Sequence, residues 1–305
     1  MKNIFEFYKK HGFLKGLGII LRFLVLKIIY EPLGVKRKWI KINGYHLLLD
    51  FKTEGISKGL YVMGSREILE TEIVNNEVKK GDICLDAGAN IGYYCLLEAK
   101  KPGTKIYAFE PDKRNMDILK INLKKNKLTN VETYELALSD KKETKEMFLT
   151  KQSNLNTFVN QENFDGKIMK IPTTTIDEFS QNKKIDFIRM DIEGFEYEVF
   201  TGMKNIIKNK KPLKIMMEFH TPTYNKKRDF TKKIEFMKKN GFIAKYLVTQ
   251  DKPYVELMKK KGYVPLKIIN DSPNVRALYK NVKMDDLIYL IKKGNLIRAG
   301  FFERK

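Results

Sequence analysis

Residues 82–112, DICLDAGANIGYYCLLEAKKPGTKIYAFEPD, constrain this chain more than any other stretch. An apolar run from Ile83 to Leu85 ends in Asp86 and opens into Gly88-Ala89-Asn90-Ile91-Gly92. An apolar helical stretch follows, then a second strand from Ile106 to Phe109 that ends in Glu110. Strand, glycine loop, helix, strand and acid make the first half of a nucleotide-binding βαβ unit. Asn90 stands where a GxGxxG loop has its middle glycine. A dinucleotide pyrophosphate needs close backbone approach there, so the change points away from NAD. It points towards a ligand with a carboxylate and a ribose but no phosphates, as in S-adenosylmethionine.

The remaining periodicity is consistent with that start. Residues 39–51 read as a hairpin turned at Asn43-Gly44. Ser65 to Lys80 reads as a helix leading into the fold, with Gly81-Asp82 as the turn before the first strand. Asp112 is placed to cap a helix through Lys125, and Val131 to Leu138 reads as a third strand. Residues 141–172 are polar with short strand-like pieces and read as an excursion at the sheet edge. Ile185 to Met190, Leu213 to Phe219 and Phe242 to Leu247 read as further strands, separated by helices over Phe195–Ile207 and Arg228–Asn240. Val275 to Tyr279 is expected to be the last strand and Met284 to Lys292 a terminal helix. Repeated units of this kind predict an α/β fold: a doubly wound, mostly parallel, seven-stranded sheet with helices on both faces.

In such sheets ligands bind beyond the carboxyl ends of the strands, where strand order reverses. Asp86, Gly88, Asn90 and Gly92 follow the first strand, where glycine backbone and a helix N-terminus can meet a small carboxylate. Glu110, 24 residues after Asp86, is placed to accept both ribose hydroxyls, and Asp140 to reach an adenine edge. Asp191 and Glu193 end the fourth strand, and His220 lies just beyond the fifth.

The run from Gly81-Asp82 through Leu85-Asp86-Ala-Gly88-Ala-Asn90-Ile-Gly92, then Ala108-Phe109-Glu110-Pro111 and Ala137-Leu-Ser139-Asp140, resembles the FkbM-type S-adenosylmethionine-dependent methyltransferases. The block Ile185-Asp186-Phe187-Ile188-Arg189-Met190-Asp191-Ile192-Glu193-Gly194-Phe195-Glu196, preceded by Thr175-Ile-Asp177, carries the resemblance furthest. It covers roughly residues 50–250. It implies a Rossmann-like class I methyltransferase fold with S-adenosylmethionine as cofactor, and O-methylation of sugar or polyketide hydroxyls.

A hydroxyl is a poor nucleophile until its proton leaves, so a base should stand near the transferred methyl group. Asp191 is the first candidate, with Glu193 and His220 as the others. Each has a plainer reading: Asp191 orienting the donor's ammonium, Glu193 capping the helix after Gly194, His220 a structural hydrogen-bonding partner. Asp191, Glu193, Glu218 and His220 could approach one another around a divalent cation. No HxxE or Cys/His cluster supports this, and no metal is assigned. Tyr93, Tyr94, Phe158 and Phe195 are candidate lining residues for the acceptor pocket, or core.

The net charge of +22 is uneven. Residues 1–46 hold 10 Lys and Arg against 2 acids, residues 47–203 hold 23 against 26, and residues 204–305 hold 26 against 9. The expected organisation is a basic N-terminal helical segment (1–46), a methyltransferase domain (47–250) and a basic C-terminal extension (251–305) that completes the sheet with a terminal helix. The flanks imply either an anionic partner or compositional drift in a lysine-rich chain. Residues 13–30, FLKGLGIILRFLVLKIIY, are too short and too cationic to span a membrane. They suit a helix lying on an anionic membrane surface through residues 13–38, or one packed on the domain. Cys84 and Cys95 read as core residues rather than a disulfide, which fits a cytoplasmic protein, peripheral on the inner membrane face if the helix binds lipid.

Three functions remain in view. The first is O-methylation of a hydroxyl on a sugar, glycan or lipid-linked saccharide. The second is an RNA methyltransferase that uses its basic flanks on phosphates. The (N/D)PP(Y/F) box usual in amino-methylating nucleic-acid enzymes is replaced here by Asp191-Ile-Glu-Gly, which ranks nucleic acid lower. The third is a non-catalytic adaptor. Acceptor identity and oligomeric state are not encoded in any recognisable pattern.

Overall fold

The computed structural model describes residues 13–52, 56–150, 156–159, 166–210, 212–271, 274–294 and 297–304. An N-terminal helix α1 (Phe13–Leu24) continues as a wider π turn over Val25–Tyr30. The hairpin β1 (Arg37–Ile42) and β2 (Tyr45–Asp50) turns at Asn43 and Gly44, both at positive φ, as an Asn-Gly turn requires. Helices α2 (Ile56–Met63) and α3 (Ile68–Glu77) lead to β3 (Ile83–Ala87), α4 (Tyr93–Ala99), β4 (Lys105–Phe109), α5 (Lys113–Lys125) and β5 (Val131–Tyr134). Asp112 caps α5 as expected, its carboxylate accepting the Arg114 N–H at 2.9 Å.

Next come β6 (Ala137–Leu138), β7 (Thr144–Leu149), β8 (Lys167–Thr174), α6 (Ile176–Ser180), β9 (Phe187–Met190), α7 (Glu196–Thr201) and α8 (Lys204–Asn209). The chain continues through β10 (Leu213–Glu218), α9 (Thr231–Lys239), β11 (Ile243–Gln250), α10 (Lys252–Lys260), β12 (Lys267–Asp271), β13 (Asn274–Val282), α11 (Met284–Lys292) and β14 (Ile297–Arg304).

The main sheet has nine strands in the order β12-β13-β11-β14-β10-β9-β3-β4-β5. From β10 to β5 every pairing is parallel, while β14, β11, β13 and β12 join antiparallel. Seven strands, β11 through β5, form the doubly wound frame that the βα repeats predict, and β13 and β12 widen it. One apolar core gathers α6 to α11 on one face, through Val199, Phe200, Ile234 and Leu287. The other gathers the hairpin and α2 to α5, through Leu47, Leu60, Leu69 and Leu119.

Several expectations need correction. The third strand splits, because Ala137 and Leu138 leave the main sheet to pair with β8 in a small sheet of order β6-β8-β7. The excursion over 141–172 is that sheet, and its residues 151–155 and 160–165 lie outside the described residues. The helix expected over Phe195–Ile207 is two short ones. Gly202 separates them at a point where a Cβ would collide with the Ser139 carbonyl. Val275–Tyr279 is not the last strand, and α11 is not terminal: β14 follows and inserts between β10 and β11. Its residues are buried on both faces, so it lacks the alternation that marks a half-exposed strand. A domain boundary at 46/47 runs through β2, whose Leu47 and Leu49 are fully buried in the main core.

Candidate active site

Strand order reverses at β3 and β9: β4 follows β3 outward on one side and β10 follows β9 on the other. Their carboxyl ends open a crevice at that reversal. The loops after the two strands touch. Gly88 has φ 82°, and a Cβ there would collide with the Asp191 carbonyl oxygen. Asn90 sits at φ 50°, and its Oδ1 accepts the Ile91 N–H at 2.8 Å. Asparagine replaces glycine in this loop because its short amide tolerates the left-handed region. Glu193 also sits at φ 50°, a less tolerant side chain there, at a cost of about 1–3 kcal/mol. Its carbonyl accepts the Thr157 hydroxyl at 2.7 Å and its Oε2 lies 3.2 Å from His220 Nε2, which hold it in place.

Two hollows meet at Gly88, Asn90, Asp191 and Glu193. The first, partly open to solvent, spans about 570 Å³ and is mostly apolar, walled by Leu136, Leu138, Met147, Phe158 and Phe195, with Glu110 at its edge. Glu110 is buried; Oε2 accepts the Asn90 N–H at 2.8 Å and Oε1 the Asp112 N–H at 2.9 Å. Burial pushes its carboxyl up to about 7, against the pull of those two N–H groups. Oε1 also takes a long contact from the Asn115 amide at 3.4 Å, while Oε2 keeps a second acceptor position.

The second hollow, of about 400 Å³, is built from charge. Arg189 donates Nη1 to Asp86 Oδ1 at 3.0 Å and Nη2 to Asp191 Oδ2 at 3.1 Å, and its guanidinium lies 3.8 Å over the Tyr94 ring. Asp191 Oδ1 is buried and has no hydrogen-bond partner among the described residues. Glu67 accepts from Arg66 at 2.6 Å, from Arg298 at 3.0 Å and from the Tyr94 hydroxyl at 2.8 Å. Burial would raise its carboxyl, but Arg66, Arg298 and Arg189 outweigh burial and hold it well below the usual range. Arg298 also pairs with Glu218. His220 Nδ1 lies 2.8 Å from Glu196 Oε1, and Nε2 lies 3.2 Å from Glu193 and 3.5 Å from Glu218. Burial alone would lower the imidazole, yet Glu196, with Glu193 and Glu218, lifts it to about 12. Burial raises the Glu193 carboxyl, with His220 pulling the other way.

The structure sorts the residues predicted from sequence. Gly88, Asn90, Asp191 and Glu193 line both hollows, and Glu110 the first. Phe158 and Phe195 line the first, Tyr93 and Tyr94 the second. Asp86 lines neither; it is fully buried and reaches the cleft through Arg189. Gly92 lies behind the loop, where a Cβ would press on Leu119 and Leu96, so it serves helix packing. Asp140 is outside the first hollow, bound by the Ser139 hydroxyl at 2.8 Å and paired with Lys145 at 3.4 Å. Asp191, Glu193 and His220 converge, each offering a ligand atom within 4.8 Å of the others, but the protonated imidazole already faces three carboxylates.

Arg66, Glu67 and Arg298 have no counterpart among the residues predicted from sequence. One signal could have found them: lysines outnumber arginines 50 to 9, and three of those nine gather at this cleft. An arginine kept in a lysine-rich chain marks a place needing a planar, forked donor.

In kind, the set fits S-adenosylmethionine. Glu110 has unused lone pairs for sugar hydroxyls, the first hollow has apolar walls for a flat base, and Asp191 and Arg66 present opposite charges for an amino-acid end. Comparison with curated proteins finds no significant match. Among solved structures, the chain is similar to a precorrin-6y C5,15-methyltransferase from Geobacter metallireducens (12% identity, 77% of this chain and 87% of that one, TM-score 0.40). It is likewise similar to an rRNA methylase from Streptococcus thermophilus (14%, 72% and 98%, TM-score 0.39). A third is TYW2 from M. jannaschii, solved in complex with AdoMet (17%, 81% and 87%, TM-score 0.39). The profile described as Methyltransferase FkbM domain matches residues 86–244, from the acid ending β3 into β11. That span takes in both walls of the crevice, and the chain belongs to the FkbM family of S-adenosylmethionine-dependent methyltransferases.

Proposed function

We propose that this enzyme O-methylates a hydroxyl of a saccharide, glycan or lipid-linked saccharide. The reading rests on one observation: Glu193, held at the junction of the two hollows, has a carboxyl raised by burial. A base whose pKa is raised towards the working pH suits removal of a hydroxyl proton. When bound, the donor supplies an electrophilic methyl group. Glu110 holds its ribose, Met147 and Phe158 flank its base, Asp191 Oδ1 takes its ammonium and Arg66 its carboxylate. Asp86 acts as a positioning residue, fixing Arg189 and through it Asp191. Glu193 takes the acceptor's proton on the oxygen that does not face His220. Protonated His220 holds the other oxygen and keeps the carboxylate aimed. Both cysteines are free and buried, which supports a reducing, cytoplasmic setting.

The test is to incubate the purified protein with methyl-labelled donor and fractionated cell extract. Label is expected in a saccharide or glycolipid fraction, as an ether that resists mild alkali. Glu193→Gln should reduce incorporation by about 10²–10⁴-fold while donor affinity stays within a factor of about three. Label confined to RNA would replace this reading with a nucleic-acid one.

A further inference from the structure

The helix at residues 13–30 packs on the domain with one face only. Ile19 and Leu26 are 4% and 2% exposed, and Arg22 Nε donates to the Val62 carbonyl at 2.8 Å, tying the helix to α2. Leu14, Leu17, Leu21, Leu24 and Ile28, spaced alternately three and four apart, point away and are 83%, 38%, 53%, 42% and 66% exposed. Leu33, just past the helix, is 74% exposed. This spacing forms a continuous apolar stripe along one face. A stripe of large aliphatic side chains left in water marks an interaction surface.

We propose that this stripe, with the cations that flank it, docks the enzyme on an anionic lipid bilayer. Charge identifies the partner. Residues 13–41 contain seven Lys and Arg, with Glu31 as the single acid. Glu31 is already shared between Lys27 at 3.0 Å and Lys58 at 3.1 Å. Lys36, Arg37, Lys38 and Lys41 are exposed beyond the helix, and Lys38 lies 5.3 Å over the Tyr30 ring at the helix end. Trp39, 37% exposed, sits among these cations, as aromatic rings do at headgroup level. Pairing two copies through the stripe would bring two such cationic segments together. A surface of anionic headgroups neutralises them instead. Among the described residues no helix is long and apolar enough to cross a membrane, so the helix lies in the interface plane. The inference goes beyond the proposed acceptor and does not depend on it.

The full chain is mixed with sedimentable vesicles of phosphatidylcholine alone or with 30 mole per cent phosphatidylglycerol, at low and high salt. The protein is expected to pellet with the anionic vesicles at low salt, and to be largely released from them at high salt. Leu17→Glu/Leu21→Glu/Leu24→Glu should lower partitioning by at least about tenfold, and Lys36→Glu/Lys38→Glu by at least about thirtyfold, from about 1 kcal/mol per cation. Calorimetric affinity for the donor should match wild type in both variants, which separates lost docking from lost folding or a failed donor site. If the triple variant does not fold, the lysine pair decides alone. Wild-type protein that stays in the supernatant with anionic vesicles overturns the proposal. So does a dimer that the triple variant dissolves without any vesicle binding.

Discussion

The two hollows of the cleft are built on opposite electrostatic plans. The first is mostly apolar, and the carboxylate it does not share with the second, Glu110, takes its hydrogen bonds from backbone N–H groups and the Asn115 amide and not from a cation. The second interlocks Arg66, Arg189 and Arg298 with Glu67, Asp86, Asp191 and Glu218. A buried carboxylate without a cation responds to pH, because its hydrogen bonds only partly offset its desolvation. An interlocked set is pinned, because each charge is offset by a neighbour, and it fails abruptly when one member goes. The ligand would thus be held at one end by a titrating group and at the other by a rigid charged frame.

The contrast can be broken most forcefully at Arg189. Arg189→Met removes the cation that Asp86 and Asp191 share, with side chains 0% and 15% exposed. Unfolding stability should fall by about 3–5 kcal/mol, read as a lowered midpoint in chemical denaturation. A loss under 1 kcal/mol would mean that the frame is not interlocked.

Glu110→Ala leaves that frame untouched and should act on binding. Two hydrogen bonds from ribose to a charged acceptor are worth about 3 kcal/mol or more in sum, so the donor's Kd should rise at least about a hundredfold by calorimetry. An unchanged Kd would show that the sugar is held elsewhere.

The smallest effect sharpens the contrast with pH. Glu110 titrates in the folded protein at about 7, above its ordinary value. Its contribution to folding stability is therefore full below about pH 4.5 and is lost as pH rises through 7. Donor affinity runs the other way, since the ionised form accepts the ribose hydroxyls. Kd should rise about tenfold from pH 8 to pH 6. His220, lifted to about 12, keeps its proton throughout that window. A flat Kd profile would mean that the lone carboxylate is ionised across the range.

What the sequence reveals of this cleft depends on how local the signal is. The glycine loop, Glu110 and the Asp112 cap lie within 31 residues and declare themselves by spacing. Arg298 and Glu67 are 231 residues apart, and only the folded sheet brings them together. Motif letters also carry no direction. Gly92 and Asp140 were legible as members of their motifs, yet one faces Leu119 and the other lies outside the hollow. The break at Gly202 was hidden because its cause, the Ser139 carbonyl, is 63 positions away.

The placement of β14 has a consequence for biosynthesis. Residues 297–304 hydrogen-bond between β10 and β11, and Arg304 donates to the carbonyls of Ile207 and Asn240, at the ends of two helices. As the chain leaves the ribosome, the edges of β10 and β11 that β14 will join must wait for a segment translated long after both. Donor-side βα units can assemble while synthesis continues, whereas closure of the central sheet waits until residues 297–304 have emerged.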